Sequence, residues 1–290
     1  MSADSQVALG ASEIRSLAET LGIRPTKRLG QNFVIDANVC RKIVKTAGVT
    51  KNDVVLEIGP GLGSLTIVLL QEALSVIAVE IDPVLAGALK TTIGDRLPQL
   101  VTNLDVVNED AMQLQQTETL DGKEPTVLVA NLPYNISVPV LLHILERFST
   151  IQTGLVMVQA EVAERLAAKP GDKAYGIPSV KAAWWASLRK AGPVSRSVFW
   201  PIPNVDSGLV AFTRQAPPVC SVSRQEVFKV IDAAFATRRK MLRSALANWA
   251  GSPGQSEAFL IAAGVPPTVR GEELALEDFI AIASAKSRLG

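Results

Sequence analysis

Histidine is nearly missing from this sequence: His143 is the only one in 290 residues. It sits in the apolar run Pro139-Val140-Leu141-Leu142-His143-Ile144-Leu145, where a helix-face role outweighs a catalytic one. A Ser-His mechanism and a multi-His metal centre are strongly disfavoured. Cysteine is as scarce. Cys40 and Cys220 are far apart and lack metal-ligand spacing, so no metal site is expected and a reducing cytoplasm is favoured. The longest apolar runs stop well short of the ~20 residues of a membrane span. The N-terminus lacks a basic segment followed by an apolar core and a small-residue cleavage site, so no signal peptide is expected. There is no internal repeat and no long low-complexity tract.

Net charge is also nearly absent, at +1, but it is segregated. Between Lys181 and Arg243 stand eleven basic residues and three acids, Asp206, Glu226 and Asp232. Such asymmetry is the footprint of a phosphate-backbone partner, or else a set of ordinary solvated faces. Hydrophobic residues make up 48% of the chain, ample for a large core, and the length favours two domains.

What is present is a series of strand ends bearing polar groups. Thr126 to Ala130 reads as a buried parallel strand and leads into Asn131-Leu132-Pro133-Tyr134. Asn131 offers an acceptor to an exocyclic amine, Pro133 fixes the turn, and Tyr134 offers a flat stacking face. The plainer alternative is a helix-initiating turn. Upstream, Val54-Val55-Leu56-Glu57-Ile58 ends in Gly59-Pro60-Gly61-Leu62-Gly63, and Ser64 opens a helix. Glycines there allow a tight turn and close backbone approach to a ligand. The strand Val76 to Val79 ends in Glu80-Ile81-Asp82, an acid placed to accept from ribose hydroxyls.

NAD-type and S-adenosylmethionine-type sites share this layout. The glycine spacing departs from G-x-G-x-x-G. Glu57 would repel a pyrophosphate but suits a cofactor with a cationic end. Asp110 closes an apparent third strand, where it can meet an adenine amine. These details favour S-adenosylmethionine.

Strands and helices alternate to about Gln159, the pattern of a parallel sheet wound on both faces. Residues 1 to about 12 read as disordered, and Ser12 to Leu21 as a helix. Arg24, Lys27 and Arg28 lie in a basic loop, and Asp36 can cap a helix from Ala37 to Ala47. Gly154 to Val158 reads as the fifth strand and Ser207 to Thr213 as a final, antiparallel one. An apolar helix is expected to carry Trp184 and Trp185, before a proline-punctuated connection, Ser197 to Pro203. Gln215-Ala216-Pro217-Pro218 breaks the chain, giving domains 1–216 and 217–290. Helices are expected over Arg224–Ala236, Arg238–Trp249, Gln255–Ala263 and Leu276–Lys286. Arg238, Arg239, Lys240 and Arg243 then read as RNA phosphate contacts at a helix start, or as solubilising charge.

The chain closely resembles the KsgA/RsmA-type ribosomal RNA adenine N6-dimethyltransferases. The matching segments include Leu29-Gly30-Gln31-Asn32-Phe33, Glu57 to Gly63, Glu80-Ile81-Asp82, Asp110-Ala111 and Asn131 to Ile136. Val198-Phe199-Trp200-Pro201-Ile202-Pro203-Asn204-Val205-Asp206-Ser207 and Ala234 to Lys240 follow in family order. The resemblance implies a class I SAM-dependent methyltransferase, an α/β Rossmann-like fold with a mostly parallel seven-stranded sheet and a small all-α C-terminal domain. It implies dimethylation of N6 on two adjacent adenosines near the 3′ end of small-subunit (16S) rRNA, on a pre-ribosomal particle, by a cytoplasmic monomer. The implied cofactor site is Asn32, Val34, Gly59, Gly61, Glu80, Asp110 and Asn131, where the family often has Leu in place of Val34. Asn131, Leu132, Pro133 and Tyr134 would address the target base, with Phe199 stacked against it. Two alternatives remain: an Erm-like large-subunit enzyme, and a mainly non-catalytic RNA-binding assembly factor.

Overall fold

The computed structural model describes residues 8–25, 31–115, 120 and 122–289. Most of the expected disordered tail, and Lys27 and Arg28 of the basic loop, lie outside the described residues. The chain divides into two compact units, Met1–Ala163 with Arg189–Arg214, and Glu164–Leu188 with Gln215–Gly290.

The first unit starts with α1 (Ala11–Thr20), β1 (Phe33–Val34) and α2 (Ala37–Ala47). The sheet follows: β2 (Val54–Ile58), β3 (Ser75–Glu80), β4 (Leu104–Asn108), β5 (Val127–Asn131) and β6 (Thr153–Gln159). Helices α3 (Ser64–Glu72), α4 (Pro83–Gly94) and α5 (Ser137–Arg147) stand between these strands. Helices α6 (Ala160–Ala167) and α7 (Ile177–Ala182) lead to β7 (Ala186–Val194), β8 (Phe199–Trp200) and β9 (Ser207–Arg214). Seven strands form one sheet in the order β4-β3-β2-β5-β6-β9-β7, while β8 pairs antiparallel with β1. Pairs from β4 through β6 are parallel and β9 runs antiparallel to β6. This is the mostly parallel sheet that the alternation predicts.

Local chemistry explains the elements. The Asp36 carboxylate accepts from the Asn38 N–H at 2.8 Å and so starts α2; Gly48, with φ 70°, ends it. Asp82 caps α4, with Pro83 just inside the helix. Strands β2, β5 and β6 are buried along nearly their whole length, as expected where both sheet faces are covered. A side chain on Gly154 of β6 would begin 2.4 Å from the Phe212 ring of β9, so glycine lets that ring lie on the strand. At the end of β9, Arg214 donates Nη2 to the Leu145 and Phe148 carbonyls at 3.0 and 2.7 Å, and Nε to that of Ile151 at 2.5 Å. It thereby satisfies carbonyls around the C-terminus of α5 that no helix bond can reach.

The second unit ends in α8 (Arg224–Ala236), α9 (Leu242–Ala245), α10 (Ala247–Ala250), α11 (Pro253–Ala262) and α12 (Leu276–Leu289). A single cut at 216/217 lies beside the Arg214/Gln215 boundary but misassigns Glu164–Leu188. That segment packs on the helices: Trp184 and Trp185 set their rings edge-on to Phe228, and Lys181 pairs with Asp232 at 2.7 Å. The Tyr175 hydroxyl donates to the Leu274 carbonyl at 2.8 Å.

Two element expectations are corrected. The helix expected to carry Trp184 and Trp185 ends at Ala182, and β7 begins at Ala186. Alternating burial is legible over only four residues, Ala186 to Arg189, before Gly192-Pro193 obscures it. The helix expected from Arg238 to Trp249 is instead a turn, Thr237 to Lys240, followed by α9 and α10. The Leu242 N–H donates to the Val269 carbonyl at 2.8 Å, a tertiary bond that competes with continuing the helix.

Arg214→Ala should destabilise the protein by about 1.5–3 kcal/mol, the range for hydrogen bonds to a charged group. Denaturant unfolding would show this as a lower midpoint, with Arg214→Lys restoring only part of it because an ammonium lacks the planar fork.

Candidate active site

The strand order runs outward in both directions from the gap between β2 and β5. Ligands in open parallel sheets bind at such a reversal, beyond the carboxyl ends of the strands. Here a cleft of about 910 Å³, its open mouth included, is lined by Asn32, Val34, Gly59, Gly61, Glu80, Asp110, Asn131 and Pro133, among others. Every expected cofactor residue thus reaches one cleft. Asp110 lies two residues beyond the end of β4 rather than on it, and its Oδ1 accepts from the Met112 N–H at 2.9 Å.

The glycine turn is held by the acids around it. Gly61 has φ 56°, and a side chain there would begin 2.9 Å from the Phe33 ring. Its N–H donates to Glu80 Oε2 at 3.1 Å, and the Asp82 N–H donates to Glu80 Oε1 at 3.0 Å. Burial pushes the Glu80 carboxyl above its ordinary range, and these two N–H groups oppose the rise.

Gln31 to Val34 closes one wall through three bonds. Gln31 Nε2 donates to Asp82 Oδ2 at 3.2 Å, Asn131 Nδ2 donates to the Asn32 carbonyl at 3.1 Å, and Ser64 Oγ donates to the Val34 carbonyl at 2.7 Å. The bond to Asn32 fixes the amide so that Oδ1 is the acceptor of Asn131. The Pro133 carbonyl accepts from the Ile136 N–H at 3.2 Å, closing the turn that starts α5.

Glu57, which is not among the residues expected from the sequence to hold the cofactor, lies in the cleft wall. It is 1% exposed, and its Oε2 has no hydrogen-bond partner. Burial, reinforced by the Glu80 charge, pushes its carboxyl up to about 8. A lone acid in the apolar run Val54–Ile58 was the signal for it. The exposed Ile81 also lines the cleft and offers an apolar contact beside Glu80.

Leu132, Tyr134 and Phe199 do not line this cleft. Leu132 is buried, and its N–H donates to the Met157 carbonyl at 3.1 Å. Tyr134 is half-buried, and its hydroxyl lies 2.6 Å from Ser207 Oγ, tying its turn to β9. Phe199 is a correction. It is 0% exposed, belongs to the hydrophobic core and pairs with Val34 through β8 and β1, so this structure presents no face of its ring to a base.

The four basic residues expected to contact RNA lie in the second unit. Arg238 donates Nε to Glu272 at 2.7 Å and also binds the Lys173 carbonyl, which makes it a tie within that unit. Arg243 faces Glu257 at 3.4 Å. Arg239 and Lys240 are exposed and have no ion-pair partner among the described residues.

The family described as "Ribosomal RNA adenine dimethylase" matches residues 23–287. The chain is 59% identical over 276 residues to the ribosomal RNA small subunit methyltransferase A of Streptomyces avermitilis, covering 95% of this chain and 92% of that protein. It is 56% identical over 282 residues to the same-named protein of Thermobifida fusca, covering 97% of each. Among solved structures it is similar to a dimethyladenosine transferase from Plasmodium falciparum, with a TM-score of 0.70 and 24% identity over 86% of this chain and 95% of that one. The 23S rRNA methyltransferase ErmE gives a TM-score of 0.63 and 26% identity over 88% of this chain and 100% of that one.

Two outcomes follow from the site. Between the ordinary carboxyl range and about pH 8, folded Glu57 holds a proton that the unfolded chain has lost, so stability should fall as pH rises through that window. Glu57→Gln should flatten this part of a melting-temperature profile; an unchanged slope would put the carboxyl in its ordinary range. Phe199→Ala should cost about 3–5 kcal/mol of stability with no substrate present, as for a large core aromatic. Denaturant titration would detect it, and a cost below about 1 kcal/mol would contradict its core role.

Proposed function

The chain belongs to the ribosomal RNA adenine dimethylase family, and on that premise we propose that it methylates N6 of two adjacent adenosines near the 3′ end of small-subunit rRNA, using S-adenosylmethionine. The observation that carries the reading is the convergence of Gly59, Gly61, Glu80, Asp110 and Asn131 on one cleft at the strand reversal. The substrate is a pre-ribosomal small-subunit particle in the cytoplasm, and a single copy of the chain acts on it.

The donor set fits the cofactor. The buried Glu57 carboxyl, one oxygen of which has no partner, would give up its proton beside a cationic group, and the Gly59 and Gly61 backbone leaves room next to it. Glu80 and Asp110 would accept from the ribose hydroxyls and the adenine amine, while the Asn32 and Val34 backbone closes the wall. Bound there, S-adenosylmethionine supplies an activated methyl group on a sulfonium.

The protein's remaining task is to prepare N6 of the target adenine. That nitrogen's lone pair is delocalised into the ring and is a poor nucleophile. Asn131 Oδ1 and a nearby backbone carbonyl accept from N6–H, favouring a pyramidal nitrogen with a localised lone pair. The second acceptor is the Leu132 or Pro133 carbonyl; the Pro133 carbonyl already accepts from the Ile136 N–H but keeps a second lone pair. Such positioning lowers the barrier without a strong base, consistent with a site that contains no histidine. The base leaves its stack to enter, and the half-buried Tyr134 ring receives it. In the second unit, Arg239 and Lys240 contact phosphates.

An Erm-like large-subunit activity is the second reading, supported by the likeness to ErmE at 26% identity. The relatives named for the small subunit stand much closer, at 56–59%.

The test is transfer of labelled methyl groups to unmethylated small ribosomal subunits, with large subunits as control and digestion to nucleosides. Dimethyladenosine from small subunits is expected, and label confined to large-subunit RNA would favour the second reading. Asn131→Ala should lower kcat/KM about a hundredfold, as for loss of one polar group aimed at the reacting atoms.

A further inference from the structure

Two elements of the first unit, far apart in sequence, carry cations and no acids. Helix α2 carries Arg41, Lys42 and Lys45 and no acid within its span; β7 carries Arg189 and Lys190 and no acid. Lys42, Lys45, Arg189 and Lys190 are all exposed, and none has an ion-pair partner among the described residues. The fold brings the two elements together. Lys42 Nζ lies 3.9 Å from the point where a side chain on Gly192 of β7 would begin, so the ammonium sits over a bare stretch of strand. Lys190 is two residues along, about 7 Å on a strand. Lys42 and Lys45 share a helix face by their spacing. Both elements adjoin in sequence the β1–β8 pair, whose Val34 lines the cleft. Helix α2 starts three residues after Val34, which lines it, and β7 ends five residues before Phe199, which pairs with Val34.

We propose that α2 and the outer edge of β7 form an RNA-backbone surface on the first unit, with Lys42, Lys45, Arg189 and Lys190 contacting phosphates of the rRNA that presents the target adenosines. The inference rests on the rRNA-methylating reading above. β7 is the last strand of the sheet, and lysines on an edge strand also serve to block pairing with other chains. That role alone accounts for neither the cations of α2 nor the placement of Lys42 over β7. A polyanion is the complementary partner: four unpaired cations bring no desolvated acid with them, and each phosphate neutralised releases a counterion.

The experiment measures binding of unmethylated small ribosomal subunits across a salt series, for the wild type, for Lys42→Ala with Lys190→Ala, and for a charge-matched control, Lys51→Ala with Lys90→Ala. Two lost phosphate contacts should lower the slope of log affinity against log salt by about 1.5 in the first variant. The control should keep the wild-type slope. Equal slopes for the two variants would overturn the proposal and leave edge protection as the role of Lys190. The melting shift on adding S-adenosylmethionine reports whether each variant is folded; if the alanine pair failed this check, Lys42→Gln with Lys190→Gln would be read in its place. If the wild type showed that shift yet bound no small subunits, the functional reading would fall, and this surface with it.

Discussion

A parallel sheet whose strand order runs outward in two directions from one point leaves a crevice there, and the rest of this site depends on that crevice. It lies between β2 and β5, where a side chain on Gly59 would begin 3.7 Å from the Asn131 carbonyl oxygen. The parallel strands all end on one side, so residues from four chain segments arrive together without any long loop. The Gln31 to Val34 segment then closes the wall through bonds to Asp82, Asn131 and Ser64, each beside a different strand end.

The crevice places acids where the core would favour hydrocarbon. Val55, Leu56 and Ile58 surround Glu57 on β2 and are all buried. Glu80 offsets its burial with N–H bonds to both oxygens, whereas Glu57 leaves one oxygen without a partner. The two carboxyl groups thus stand in different environments. Glu80 organises the glycine turn through the Gly61 and Asp82 N–H groups. Glu57 is buried with one oxygen left over, a local conflict of the kind that marks functional positions.

The basic residues show how far composition can mislead. An eleven-to-three excess between Lys181 and Arg243 reads as one footprint. In the fold, Arg214 satisfies the carbonyls near the end of α5, Lys181 pairs with Asp232, and Arg238 ties Glu272 to the Lys173 carbonyl. A guanidinium can bind a phosphate or a carbonyl with the same donors, so the side chain alone does not announce which it meets. Arg189, Lys190, Arg239 and Lys240 keep their charge exposed.

Elements with local causes are legible in the amino-acid order: the apolar strands β2, β5 and β6, the caps Asp36 and Asp82, and the glycine turn. These follow from periodicity and from which side chains tolerate a given backbone, and they were enough to bring Glu80 and Asn131 to strand ends and Asp110 just beyond one. What depends on distant partners was set by the folded chain. It made Phe199 a core residue by pairing β8 with β1, joined Glu164–Leu188 to the helical unit through Trp184, Trp185 and Tyr175, and broke the helix after Arg238 by bonding Leu242 to Val269. An aromatic ring, an arginine or a helical period carries no mark of which neighbour will cover it. That choice is made by long-range burial, which the local pattern does not contain.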